Sequence, residues 1–209
     1  MIIYACSSNP GKLKEFRIAG RQSSVAGFEI EPLPGLEAMA PPPEDGLSFE
    51  ENALSKAVYY SRFSRELTLA DDSGLEVTAL SGAPGVHSAR YAGTNATDAE
   101  NNELLLQRLE KTRDRRARFV CVIAIARSGE ILTSVRGIEE GEILKAPRGS
   151  SGFGYDPLFF YPPLNCTFAE LTADDKFAVS HRGNALRALL EYLVQLAGAE
   201  ASSASDMIG

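Results

Sequence analysis

Apolar residues fall in short runs separated by tight polar stretches, and the breaks define the elements. The chain opens on an apolar run, Ile2 to Cys6, that reads as a buried strand. It stops at Ser7-Ser8-Asn9-Pro10-Gly11, residues that all favour turns or helix caps. Leu13, Phe16 and Ile18 then suggest a short helix over Lys12 to Ala19. Phe28 to Leu33 reads as a second strand, and Pro32, Pro34 and Pro41-Pro42-Pro43 mark a stiff surface loop. Ser48 followed by Glu51 is a capping box and predicts a helix to Phe63. Leu67 to Ala70 is a buried strand running into Asp71-Asp72-Ser73-Gly74, where a turn is expected. Strand character resumes over Leu75 to Leu80 and ends at Ser81-Gly82-Ala83-Pro84-Gly85.

A second capping box, Thr97 with Glu100, opens a helix through Leu109. Phe119 to Ala126 is a nearly continuous apolar run rich in β-branched residues, which makes it the central-strand candidate. Glu130 to Ile138 follows Ser128-Gly129 as its hairpin partner. Pro147 to Pro163 is dense in glycine, proline and aromatic residues and takes no regular assignment. Thr172 to Lys176 reads as one helical turn, and Ser180 caps a final helix with Ala185, Leu186, Leu189, Leu190 and Leu193 on one face. From Gly198 on the residues are small and polar. Residues 1–197 are therefore expected to form one domain and 198–209 a disordered tail. Strands and helices mix without strict alternation, which places the fold in the α/β or α+β class with a mixed sheet.

Composition narrows the setting. The 209 residues are 44% hydrophobic and 23% charged, ordinary for a globular domain that buries its own core. Cys6, Cys121 and Cys166 are far apart and form no zinc spacing, which fits reduced thiols in a cytoplasmic protein. No apolar run is long enough to span a membrane and no stretch reads as a charged-then-apolar leader ending in small residues, so neither anchoring nor export is expected. A net charge of −7 argues against gripping a nucleic-acid backbone. The one basic cluster, Lys111 to Arg118, is interrupted by Asp114 and reads as a solvated linker.

Candidate chemistry lies where polar motifs interrupt regular elements. Ser7 to Lys12 offers backbone N–H groups, a helix N-terminus and one cation, all suited to phosphate; the plain alternative is a capped helix. It is not a Walker A loop, since Leu13 stands where Ser or Thr is required. Asp71-Asp72 suits Mg²⁺ or a general base, unless it is only a solvated turn. Ser151-Gly152-Phe153-Gly154-Tyr155-Asp156-Pro157 offers flat faces for stacking a base and a carboxylate for its N–H, or else packs in the core. Lys176, His181 and Arg182 sit near a helix start, where cations are electrostatically misplaced unless an anion or carbonyl oxygen answers them. Two solvated side chains on a first turn are the alternative. His87 reads as a packing or solvent-facing residue, and no elbow motif supports covalent catalysis.

Six motifs resemble, in order, those of the inosine/xanthosine triphosphate pyrophosphatases, a family acting on noncanonical purine nucleoside triphosphates. They are SSNPGKLKEF, SFEENALSKA, ADDSGLEV, GAPGVHSARYAG, GFGYDPLFF and AVSHRGNAL, spread from Ile2 to about Leu196. SARYAG and FGYDP are most similar to the bacterial branch. The resemblance implies an elongated mixed α/β fold of two lobes, a central substrate cleft, Mg²⁺ and a homodimer. It implies that Ser7, Ser8, Asn9, Pro10, Gly11 and Lys12 bind the triphosphate. Asp72 would be the general base and a metal ligand with Glu44, and Ser73 would touch the substrate. Phe153, Gly154, Tyr155 and Asp156 would hold the base, with Lys176, His181 and Arg182 completing its recognition. The family commonly has Thr-Gly-Asn where this chain has Ser7-Ser8-Asn9. The Pro41-Pro42-Pro43 run leaves Glu50, Glu51 and Asp71 as alternatives to Glu44.

The reaction implied is attack of water, deprotonated by Asp72, on the α-phosphorus with release of pyrophosphate. A 6-oxo purine would accept hydrogen bonds from His181, Arg182 or backbone, which a 6-amino purine cannot do. A Maf-like pyrimidine pyrophosphatase is not expected to carry FGYDP and SHR together. A catalytically silent nucleotide binder would not need the Asp71-Asp72 pair and Lys12. A nucleic-acid-binding protein is disfavoured by the charge.

Overall fold

A computed structural model describes residues 1–23 and 27–206, with backbone only at 22, 23 and 197–206. Its strands are β1 (Ile2–Ala5), β2 (Glu29–Pro32), β3 (Leu67–Val77), β4 (Arg116–Arg127), β5 (Glu130–Ile143), β6 (Phe159–Tyr161) and β7 (Cys166–Thr167). They form one sheet in the order β2-β1-β3-β4-β5-β6-β7. The β2-β1-β3 pairs are parallel and every later pair is antiparallel, so the sheet is mixed, as expected. The helices are α1 (Pro10–Ser23), α2 (Phe49–Tyr60), α3 (Asp98–Arg108), α4 (Ala173–Val179) and α5 (His181–Asp206).

Alternation along the strands sends side chains to two faces. Ile3, Leu67, Leu69, Cys121 and Ile123 face α1 and α5, where Phe16, Ala19, Leu186 and Leu189 meet them. Ala70, Val122 and Ala124 face α2, which approaches through Ala53, Ala57 and Tyr60. A third core lies toward the far ends of β3, β4 and β5, where Leu75, Val77 and Phe119 pack with Leu105, Phe159 and Phe168. The cleft opens between this third core and the first two.

Its position follows from one strand end. β1 pairs with β3 only over Leu67–Leu69, and the Cys6 amide makes the last bond, 2.8 Å to the Leu69 carbonyl. Beyond that point the outer edge of β3 is open as far as Glu76, which bridges Pro84. The turn expected at Ser73-Gly74 is absent: β3 runs straight through, with Asp71, Asp72, Ser73 and Gly74 paired to Ile123, Val122, Cys121 and Val120 of β4. An unbroken ladder outweighs the turn preference of four polar residues. Asp71 and Asp72 therefore point to opposite faces, and both reach the opening because β1 has ended. Gly74 serves close approach rather than a turn, since an added Cβ would lie 2.6 Å from the Gly85 carbonyl oxygen.

Other differences have local causes. α1 begins at Pro10 because Asn9 caps it, its Oδ1 accepting from the Lys12 amide at 3.1 Å, with Pro at the first helical position. β5 extends past Ile138 through Glu139-Glu140-Gly141-Glu142 because β4 pairs with it along its length. The backbone of α5 continues to Asp206 through the segment whose composition suggests a disordered tail. Once a packed helix is nucleated, adding alanine-rich turns costs little. Residues 207–209 of that tail lie outside the described residues. In the basic cluster, Arg116 and Arg118 belong to β4, and Arg118 pairs with Glu76 at 2.6 Å. Arg115 binds the carbonyls of Leu109, Ile143 and Leu144. Lys111 to Asp114 is the expected connection between α3 and β4, whereas Arg115 is a strut and Arg116 to Arg118 are strand.

Candidate active site

A cavity of about 290 Å³ lies at the open edge of β3. At one end the loop entering α1 presents Ser7, Ser8 and Asn9, and the helix's first turn presents Lys12. That turn carries no acidic residue, so its partial positive charge is left for a ligand. Lys12 Nζ reaches across to Asp71 Oδ2 at 2.9 Å.

On the α2 face, Asp72 accepts from Asn52 Nδ2 and Lys56 Nζ, each at 3.1 Å. The same Lys56 ammonium is 2.8 Å from Glu44 Oε1. Asn52 and Lys56 sit one helical turn apart on the buried side of α2, so two carboxylates from a loop and a strand converge on one cation. Burial pushes Asp72 above the usual carboxylate range although Lys56, Lys12 and Asn52 pull it back. Burial acts upward on Glu44 too, but there Lys56, Lys12 and Arg90 prevail and its pKa falls.

On the other face runs a buried ladder of ions: Lys12, Asp71, Arg182, Glu15, Lys176, Asp156. Arg182 Nε stands 3.3 Å from Asp71 and its Nη1 bonds Glu15. Lys176 lies 2.9 Å from Glu15 and 2.5 Å from Asp156. Burial raises Asp71, yet Lys12, Arg182 and Lys56 together hold it far below the usual carboxylate range. Arg182 also donates to Ser73 Oγ at 2.6 Å, which leaves one of its five N–H groups, on Nη1, without an acceptor among the described residues.

Phe153 lies over these cations, with Lys176 Nζ 4.5 Å from its ring centroid. Its backbone is held by Asp156 Oδ2, which accepts from the Phe153 amide at 2.8 Å. Gly154 is pinned to Asp98 and Asn102. Beneath the ring is Gly11, where an added Cβ would stand 2.6 Å from Phe153 Cε1. His181 stacks on Phe119 at 4.6 Å and is buried, with Nδ1 unpartnered among the described residues. Burial, then the Arg182 and Lys176 charges, drives its pKa well below the usual histidine value. It is a neutral imidazole whose buried Nδ1 makes no hydrogen bond among the described residues.

The cavity thus gathers Ser7, Ser8, Asn9, Lys12, Glu44, Asp72, Ser73, the residues from Phe153 to Asp156, Lys176, His181 and Arg182. Pro10 does not line it, and Gly11 faces a smaller cavity behind Phe153. Tyr155 and Asp156 are almost wholly buried; the tyrosine hydroxyl donates to the Ser88 carbonyl at 2.8 Å, and Asp156 spends Oδ2 on Phe153 and Lys176. Among the alternatives to Glu44, Glu50 accepts from Ser134 and Glu51 from the Leu47 amide, while Asp71 lies on the opposite face. Sequence reasoning misses Glu15, Asn52 and Lys56. The available signal was polar side chains at the helical spacing of an apolar face: Asn52 and Lys56 recur with Phe49, Ala53 and Ala57.

Known proteins share this architecture. A family model described as the Ham1 family matches residues 3–192. A protein of Acidobacterium capsulatum named dITP/XTP pyrophosphatase is 47% identical over 202 residues, covering 92% of this chain and 98% of its own length. One of the same name from an Exiguobacterium species is 50% identical over 190 residues, covering 90% and 95%. The solved structure of a HAM1 protein from Coxiella burnetii is similar with a TM-score of 0.82 at 41% identity, covering 93% of this chain and 99% of that one.

Proposed function

This chain belongs to the Ham1 family, and from that membership and the chemistry of the cleft we propose that it hydrolyses noncanonical purine nucleoside triphosphates. The substrates are dITP, ITP and XTP, and the products a nucleoside monophosphate and pyrophosphate. The observation that carries the reading is a single cavity joining three features. It holds an anion-seeking helix start with Lys12, a carboxylate pair converging on a cation, and a buried imidazole with a free nitrogen.

The triphosphate lies along Ser7 to Lys12, where backbone N–H groups and the Lys12 ammonium meet its oxygens. Asp72, made more basic by burial, takes the proton of a water aimed at the α-phosphorus. Most of the acceleration is positioning and electrostatics, as in phosphoryl transfer generally. The base stacks on Phe153. His181, neutral and unpartnered at Nδ1, donates to a 6-oxo group in its Nδ1–H tautomer, and in that tautomer it meets a donor instead of an acceptor on a 6-amino purine. Arg182 has little capacity left for the base, so His181 is the principal reader.

Mg²⁺ belongs to the same proposal. Glu44 and Asp72 already share one cation, and among the described residues there is no group of three or more such ligands. A two-carboxylate set suits Mg²⁺, which takes its remaining ligands from water and substrate phosphates. Held there, Mg²⁺ would neutralise charge on the phosphate oxygens during cleavage. The homodimer implied by the resemblance and the cytoplasmic setting suggested by the scattered cysteines are part of this reading.

The test is pyrophosphate release from dITP, XTP, dGTP and dATP, each with and without Mg²⁺, by the wild type and Asp72→Asn. Mg²⁺-dependent release from dITP and XTP is expected, reduced by roughly 10²–10⁴-fold in the variant. No release by folded protein would end the enzymatic reading.

A further inference from the structure

Lys56 occupies the place that a metal ion would need. Its ammonium sits 2.8 Å from Glu44 Oε1 and 3.1 Å from Asp72 Oδ1, one oxygen of each carboxylate proposed above to hold Mg²⁺. A Mg²⁺ ion binds its oxygens at about 2.0–2.1 Å, so a divalent ion held by these same two oxygens and an ammonium lodged between them compete for one place and repel each other. The ammonium must leave before the metal takes both oxygens.

Where it goes decides the energetics. Lys56 is 7% exposed, so an ammonium displaced within the protein leaves two carboxylates and must find another anion or reach water. Lys12 and Arg182 cannot accept it, being cations, and Asp71 is already engaged by both. A triphosphate entering the cavity brings new anionic oxygens, and the flexible stem lets the ammonium turn to them.

We propose that Lys56 is a resident counter-ion that blocks the Glu44–Asp72 cation site until a triphosphate draws its ammonium away, so that metal binding depends on nucleotide. The inference rests on the metal reading of Proposed function and adds an order to it. The free protein binds divalent cations weakly, and nucleotide and metal each raise the other's affinity by the same factor.

The experiment titrates Mn²⁺, followed by the free-ion electron paramagnetic resonance signal, into wild-type protein, Lys56→Met and the double variant Lys56→Met/Glu44→Gln, without nucleotide. Lys56→Met is expected to bind Mn²⁺ about tenfold or more tightly than wild type, the least that removing an adjacent unit charge should yield even in water-like surroundings. Adding Glu44→Gln should abolish the gain. Lys56→Gln, which keeps a polar head, replaces Lys56→Met if the latter does not fold. Unchanged or weaker Mn²⁺ binding in the folded single variant would overturn the proposal. A parallel titration of wild type and Glu44→Gln, with the uncleavable α,β-methylene analogue of dITP present, separates the two failures. If Glu44→Gln weakens Mn²⁺ binding there while Lys56→Met gains nothing, only the counter-ion role falls. If Glu44→Gln binds as wild type, the metal reading falls and takes this inference with it.

Discussion

Glu15→Gln is the sharpest probe of the buried ion ladder. Glu15 is 5% exposed and holds two cations, Arg182 through Nη1 and Lys176 at 2.9 Å. Counted as ionised, Lys12, Arg182 and Lys176 balance Asp71, Glu15 and Asp156; the substitution leaves one buried positive charge uncompensated. Breaking a buried pair from one side costs about 3–5 kcal/mol. Arg182 keeps Asp71 and Lys176 keeps Asp156, and glutamine still offers one oxygen, so the lower end, about 3 kcal/mol, is expected. For a domain of this size that lowers Tm by roughly 6–12 °C. Urea unfolding at about neutral pH should show a lower midpoint with an unchanged slope.

The pH dependence adds a second check. Burial raises Glu15, but Arg182 and Lys176 together hold it below its usual value, so its folded pKa lies under its unfolded one. Its stabilisation is complete above the unfolded glutamate pKa of about 4.3 and is lost as pH falls through the folded value. The gap between wild type and Glu15→Gln should close in that acidic range. A difference under about 1 kcal/mol at neutral pH, or one that persists in acid, refutes the ladder as a stabilising charge network.

Other perturbations separate binding from folding. Gly11→Ala fills the space beneath Phe153, 2.6 Å from its Cε1, while improving helix propensity by up to about 1 kcal/mol. Thermal stability should hold or rise as KM for dITP rises by roughly 5–150-fold, the worth of one stacked base; an unchanged KM removes Phe153 as the platform. His181→Phe keeps the stack on Phe119 and deletes an unpartnered nitrogen, so stability should stay within about 1 kcal/mol. The preference for dITP over dATP, measured as a ratio of kcat/KM, should fall by about 10-fold or more; an intact ratio transfers base reading to another group.

The local code was read from the sequence alone. The Thr97–Glu100 capping box forms as drawn, and Ser48 accepts from the Glu51 amide, although Glu51 then reaches Leu47 rather than Ser48. The β-branched run of β4 lies at the centre of the sheet, and the motifs that suggest a nucleotide site all border one cavity. These are signals that neighbours in sequence carry, since caps, turns and periodicity are set within a few residues.

What the sequence could not decide depends on partners brought from far away. Whether Asp71-Asp72 turns or stays extended is settled by pairing with Ile123 and Val122, and which face each carboxylate serves follows from that pairing and from where β1 ends. Glu15 looks like one more polar residue of a helix until α5 folds over it, 167 positions later in the chain. Lys56 likewise acquires its meaning only when Glu44 and Asp72 close around it. A buried charge is tolerated only where opposite charges and hydrogen bonds surround it, and that surrounding is a property of the packed chain rather than of any segment of it.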